Sequence, residues 1–250
     1  MQTRTAVLLS LGMLLEKVDT SEFIAKLLKI AKEENPDFIF TQSLQKQGFL
    51  LAETFNQGKI ESETFASQLL KLLGIKTMPL NEFWNAWDQM VILGNIAEKV
   101  HLLQEVGYKH NALMYLSSDT NHSHFNKIVK ESENQNIQLD ATKQPIQFGQ
   151  LPLYLSYRIG RNRETLVKHI IDDIRSKDFN KPREIILILG NPANIKDKTA
   201  RQMAERECAV ITAWCKENNV SVKFHNHSLE ETFEQIFNTE NIDRLAFKFA

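Results

Sequence analysis

The sequence predicts a doubly wound α/β domain, a parallel sheet covered on both faces, with an all-helical insertion after its first strand. Two observations carry this reading. Short apolar runs at 6–9, 112–116, 151–157, 185–189 and 220–224 alternate with helical periodicity, the pattern of buried parallel strands joined by helices. Between the first two of them, residues 16–107 hold one amphipathic helix after another and no such run.

The elements follow in order. The run 6–15 has the length of a signal-peptide core, but only Arg4 precedes it and Glu16-Lys17-Val18-Asp19 offers no small-residue cleavage site. It is also too short to span a bilayer. It therefore reads as a strand, 6–9, entering a turn at Ser10-Leu11-Gly12. A first helix is capped near Thr20 and stopped by Asn35-Pro36. A second covers 42–56 and ends at Gly58, and a third runs from Ser62 to Gly74. A fourth opens after Pro79 with Phe83, Trp84, Trp87, Met90 and Val91, its two tryptophans read as core. A fifth runs from about Asn95 to Glu105 and stops at Gly107. Beyond the strand at 112–116 come a helix at 123–132, a polar loop at 133–144, the strand at 151–157 and a helix at 163–176. The strand at 185–189, a helix at 199–218, the strand at 220–224 and a helix at 229–237 complete the pattern. The expected division is 1–15 with 108–250 for the sheet domain and 16–107 for the insertion.

Composition excludes more than it names. Thirty Lys and Arg balance 31 Asp and Glu, so there is no basic excess for nucleic acid. Two cysteines do not make a disulfide scaffold and suggest a reducing, cytoplasmic setting. No Gly-x-Gly-x-x-Gly, P-loop or Gly-x-Ser-x-Gly pattern occurs. Cys208 and Cys215 share one helix face and read as buried small residues; Asp172-Asp173 reads as a solvated helix face. Two His-x-His pairs, His122 with His124 and His225 with His227, have the ligand types for zinc. In a doubly wound sheet, ligands bind beyond the carboxyl ends of the strands, which directs attention to 10–12, 117–121, 156–160, 190–194 and 225–227. Asp119 is the sole carboxylate close to those turns in sequence, and one carboxylate is a poor magnesium site.

The strand end Tyr115-Leu116-Ser117-Ser118-Asp119-Thr120-Asn121-His122-Ser123-His124-Phe125 resembles the haloacid-dehalogenase-like (HAD) hydrolase superfamily. In its helical-cap phosphatases a strand ends in Ser-Asn-Thr-Asn, then two residues and His-Phe; here Asp119 replaces the first Asn. Gly58-Lys59-Ile60-Glu61-Ser62-Glu63-Thr64-Phe65, Leu72-Leu73-Gly74 and Glu82-Phe83-Trp84-Asn85-Ala86-Trp87 resemble the cap of that group. Leu155-Ser156-Tyr157-Arg158-Ile159-Gly160 resembles the approach to its third motif, and Asn191-Pro192-Ala193-Asn194-Ile195 the tail of its fourth. The resemblance, in one order over about residues 5–237, implies a HAD-like Rossmannoid core with a helical cap.

It also implies a catalytic set that this sequence departs from. The family's first-motif Asp-x-Asp, nucleophile and general acid, falls at Ser10 and Gly12. Its third-motif lysine falls at Arg163 with Glu164 in place of the following proline, and its fourth-motif acidic pair at Leu189 and Gly190; only the second-motif serine is kept, as Ser118. The expectation is a chain that is no enzyme, holds no metal or cofactor, and serves as a protein-interaction or scaffold subunit of a larger bacterial assembly, with a secretion apparatus as one setting. It has protein partners, no nucleic acid and no membrane insertion. The alternatives are a sensor binding phosphate or a phospho-metabolite at a remnant site of Ser10, Ser118, Asn121 and Arg163, near Arg158 and Arg161, and a hydrolase that uses other residues. The family's strand order sets the two His-x-His pairs about 14 Å apart, at roughly 4.8 Å per strand, too far for one zinc.

Overall fold

The computed structural model describes residues 5–176, 182, 184–195, 198–225 and 228–246. The sheet is built on β1 (Thr5–Ser10), β4 (Ala112–Ser118), β7 (Leu151–Leu155), β8 (Glu184–Gly190) and β9 (Ser221–His225). All five are parallel, in the order β7-β4-β1-β8-β9. β5 (Leu139–Asp140) and β6 (Ile146–Phe148) extend it antiparallel beyond β7. The stretch 133–144 read as loop therefore holds an edge strand. Two residues, Leu139 and Asp140, carry no periodicity that would reveal it, and the pairing partner supplies the conformation.

Alternation along each strand divides the interior into two layers. Ala6 and Leu8 of β1 pack with Leu187 and Leu189 under α8 (Arg163–Ser176) and α9 (Lys198–Glu217). Val7 and Leu9 face the other way, toward α5 (Ile96–Lys109), α6 (His122–Asn134) and α10 (Leu229–Ala246). Ile96, Val100 and Leu103 of α5 are buried in that second layer, so the last helix of the 16–107 stretch packs on the sheet. It also continues through Gly107, where a stop was expected.

The remaining insertion comprises α1 (Ser21–Glu34), α2 (Gln42–Asn56), α3 (Ser62–Leu72) and α4 (Leu80–Asp88). It is not purely helical. β2 (Lys17–Val18) pairs antiparallel with β3 (Val91–Ile92) where the chain enters and leaves the cap, so α4 ends before Met90 and Val91. The cap has its own core of Phe23, Phe55, Phe65, Phe83 and Trp87. Trp84 packs against it, which places both tryptophans as the sequence reading expected. No helix among the described residues is long and apolar enough to cross a membrane.

The cap is fastened to the sheet domain beside the end of β4. Gly58, at φ 66°, ends α2 against the Tyr157 carbonyl; a Cβ there would stand 2.4 Å from that oxygen, so close approach as well as backbone sign requires glycine. Ser123 Oγ donates to Asp88 Oδ1 at 2.6 Å, and Lys127 Nζ to the carbonyls of Asp88 and Val91. His124 stacks on Trp87 at 5.0 Å. A carbonyl only accepts, so His124 Nε2 donates to Trp87 O at 3.0 Å and the bare Nδ1 faces the Asn121 Nδ2 donor at 3.3 Å. Desolvation is the main reason that the His124 pKa lies below 6.5, with the Trp87 carbonyl opposing it.

A folded pKa below the unfolded one means that the unfolded chain binds the proton first. The contribution of His124 to stability is then full above about 6.5 and is lost as pH falls through its lower folded value. We expect the urea midpoint to decline in that acid range less steeply in His124→Gln than in the wild type; equal slopes would remove His124 as the cause.

Candidate active-site cleft

The strand ends open toward the cap. At the end of β1, Ser10 Oγ accepts the Gly12 N–H at 3.2 Å and caps a 3-10 turn, Leu11–Leu14, which fully buried Leu11 and Leu14 anchor. Ser10 stands in register with Ser117 of β4, whose hydroxyl donates to Leu9 O at 3.4 Å. β4 runs one residue further, to buried Ser118, and Asp119 follows it, open to solvent. Ser156, at the start of the short helix α7 (Ser156–Ile159), accepts the Thr120 N–H at 3.1 Å and donates to Asn56 O of α2 at 2.7 Å. The hydroxyl thus ties the loop after β4 to the cap.

Four charged groups come within electrostatic reach there. Asn162 caps α8 by accepting the Thr165 N–H at 3.0 Å, which sets Arg163 on its first turn. Arg163 donates to Glu207 Oε2 of α9 at 3.2 Å. Desolvation raises the pKa of Asp119, with the Ser156 hydroxyl and Arg163 opposing and Glu53 of α2 assisting. Asp119 touches solvent along one side, but protein atoms crowd it closely enough for that influence to dominate. Glu207 is shifted the same way, first by burial, then by Asp119 and Glu53, against the pull of Arg163. Two carboxyls, Asp119 and Glu207, thus share one guanidinium with the like charge of Glu53 near both, and both hold their protons above the ordinary range.

Glu207 and Glu53 were not singled out on sequence. The available signal for Glu207 was its place on α9 four residues before buried Ile211, next to buried Cys208, where a charge interrupts an apolar stripe. Glu53 carried no comparable sign, since its neighbours on α2 are half-buried.

The sites read from the sequence separate into several places. Ser10, Ser118 and Gly190 end β1, β4 and β8, Gly12 lies in the turn after β1, and Arg163 starts α8. Asn121, 1% exposed, does not serve an anion: its Oδ1 accepts the His124 N–H at 3.0 Å and its Nδ2 donates to Asn56 Oδ1 at 3.1 Å. Leu189, 2% exposed, belongs to the α8/α9 layer. Arg158 turns to Ala141 O at 3.0 Å, and Arg161 is exposed. Asp172 is exposed as read, whereas Asp173 accepts the Tyr154 hydroxyl. Cys208 and Cys215 are buried, and desolvation holds the Cys215 thiol up at about 11. His122 Nε2 faces Asn126 Nδ2 and His225 Nδ1 faces Thr232 Oγ1; three strand spacings separate β4 from β9, and His227 lies outside the described residues.

Magnesium does not fit this donor set. It wants several hard oxygens, carboxylates first. The strand ends supply hydroxyls, glycines and Asn191, while the one carboxylate among them, Asp119, feels the positive charge of Arg163. No group of three His, Cys, Asp or Glu suited to a metal occurs among the described residues.

No family model and no curated protein matches the sequence. Solved structures do. One of a HAD family enzyme from Bacteroides thetaiotaomicron has 17% identity and a TM-score of 0.55, over 90% of this chain and 95% of that one. Its magnesium complex has 18% identity and a TM-score of 0.53, over 90% and 94%. The wild-type protein in complex with magnesium and inorganic phosphate has 17% and 0.52, over 89% and 94%. These neighbours are enzymes, and that overturns the expectation that the chain is no enzyme. That expectation rested on the substitutions at Ser10, Gly12, Leu189 and Gly190 and left out the carboxyls that α2 and α9 bring to the cleft. The strand order, the helical insertion and the structural neighbours agree with the motif resemblance: the chain has the HAD-like fold.

Proposed function

We propose that the chain hydrolyses phosphate monoesters in the cleft between the strand ends and the cap, with Arg163 rather than magnesium as the countercharge. The convergence of Arg163, Asp119 and Glu207 past the strand ends carries the reading. A guanidinium presents a planar fork of N–H donors that matches phosphoryl oxygens. The hydroxyls of Ser10 and Ser118 supply further donors at the strand ends. The fold neighbour held with magnesium and inorganic phosphate supports the substrate class.

Water is the nucleophile. Its oxygen forms a bond to phosphorus while the bond from phosphorus to the ester oxygen breaks. Glu207 takes the proton of the water, and Asp119, protonated, gives its proton to the leaving oxygen. A phosphoryl dianion entering beside Asp119 raises its pKa further by like-charge repulsion, which favours its acid form, while the ion pair with Arg163 opposes that shift at Glu207. Ser10 binds the phosphoryl group and is not the attacking atom.

A panel of phosphate monoesters, assayed for released phosphate with excess chelator and with added magnesium, tests this. We expect turnover of at least one ester that survives the chelator, disappears in Arg163→Met and persists at a reduced level in Ser10→Ala. Absence of turnover across the panel refutes hydrolysis. Turnover abolished by the chelator refutes the role given to Arg163, and abolition in Ser10→Ala refutes water as the nucleophile.

A further inference from the structure

The sheet continues past β7 on the side that α8 covers. On β6, Ile146 and Phe148 are buried in the opposite layer, and Gln147, which alternation turns to the α8 side, stays half-buried. A pocket of about 390 Å3 opens there, between α8, α7 and the turn leading into β6. That size falls within the range of small-molecule sites, roughly 300–1,000 Å3. The pocket shares no residue with the strand-end cleft. Pro145, the Tyr154 ring and Ile159 give it apolar walls, and Arg158, His169 and Asp173 stand around it.

These polar groups are not equally engaged. Tyr154, 4% exposed, donates its hydroxyl to Asp173. Desolvation first, and that carboxylate next, push the Tyr154 pKa up from 10, so the phenol keeps its proton and the pair stays joined. Arg158 places Nη1 on Ala141 O, and no described residue takes its Nε or Nη2 donors. His169 meets the Tyr154 ring edge-on at 6.4 Å, and no described residue hydrogen-bonds its ring nitrogens. The carboxylate of the pocket is thus engaged while two donor groups are open.

The geometry points to a binding site, separate from the strand-end cleft, for a small carboxylate with an apolar ring or chain. The guanidinium of Arg158 takes the carboxylate oxygens through its fork of N–H donors. His169 adds a donor from the ring nitrogen that carries the proton. The hydrocarbon part lies over the Tyr154 ring between Pro145 and Ile159. Asp173 keeps its negative charge nearby and repels a phosphoryl dianion more than a singly charged carboxylate, which selects against phosphate.

3-Phenylpropionate and its neutral amide, nearly equal in shape, test this on the full chain, with inorganic phosphate as a third probe. The His169 ring resonances are identified by their loss in His169→Gln. We expect the carboxylate to move them saturably and phosphate to leave them in place. The amide, and Arg158→Met with the carboxylate, should each bind roughly tenfold more weakly, the worth of a charged hydrogen bond. Arg163→Met, which alters the cleft, should leave the affinity of the carboxylate unchanged. Should Arg158→Met fail to fold, the comparison with the amide decides. No saturable movement refutes the site, and phosphate acting like the carboxylate refutes the ligand class. Equal binding of the amide, or by Arg158→Met, refutes the role of the guanidinium. Loss of binding in Arg163→Met assigns it to the cleft and refutes a separate pocket.

Discussion

Asp119→Asn is expected to lower the turnover of a phosphate monoester by roughly two to four orders of magnitude, the span a positioned proton donor contributes. The substitution is nearly isosteric and leaves the Thr120 N–H to Ser156 bond untouched, so the loop after β4 keeps its place and KM should change little. The wild-type pH profile provides a second readout. A general acid works protonated, so the rate should fall as pH rises through the pKa of Asp119, which desolvation and Glu53 hold above 3.8. That descending limb should vanish in the asparagine variant. Unchanged turnover, or the same limb in both proteins, would assign the proton transfer to another group.

Phe83→Ala should cost about 3–5 kcal/mol of stability, as expected for a large aromatic deleted from a packed interior. Phe83 has no exposed surface. Its ring meets Phe23 edge-on at 5.5 Å, Trp84 edge-on at 5.1 Å and Trp87 stacked at 6.3 Å, with Phe65 also edge-on at 6.0 Å. Such pairs add to the area they bury, and four rings packed among one another do not readily fold into the gap. Urea unfolding measures the loss; a change below about 1 kcal/mol would mean that the cap core relaxes around the deletion.

These two positions mark what a sequence reading reaches. Phe83 was legible because helical spacing after Pro79 set it beside Trp87 on one face. The strands around Leu8 and Leu187 were legible because residues buried on both faces leave an uninterrupted apolar run. β2, β3 and β5 were not, since two residues carry no period and their conformation comes from the partner strand. The cleft was legible by location and misread in chemistry. Asp119 could be placed from its strand end, and its neighbours could not. Glu53 lies 66 residues before Asp119 and Glu207 lies 88 after it, and only packing of α2 and α9 against the strand ends brings the three together. Asn121 shows the converse. Its motif position suggested an anion ligand, whereas its amide is spent on holding Asn56 and His124.

The pairing of Lys17–Val18 with Val91–Ile92 gives the cap a single doorway. Paired strands lie about 4.8 Å apart, so a few residues can bridge Val18 to Val91 and omit everything between. The sheet domain then keeps all its strands in their order, because none of them crosses the excised segment. What it loses is its lid, Glu53 and the cap partners of Ser156, Asn121, Ser123 and His124, namely Asn56, Trp87 and Asp88. The same doorway means that the length of the cap is free to vary: residues added or removed inside it leave the register of β1, β4 and β8 unaltered.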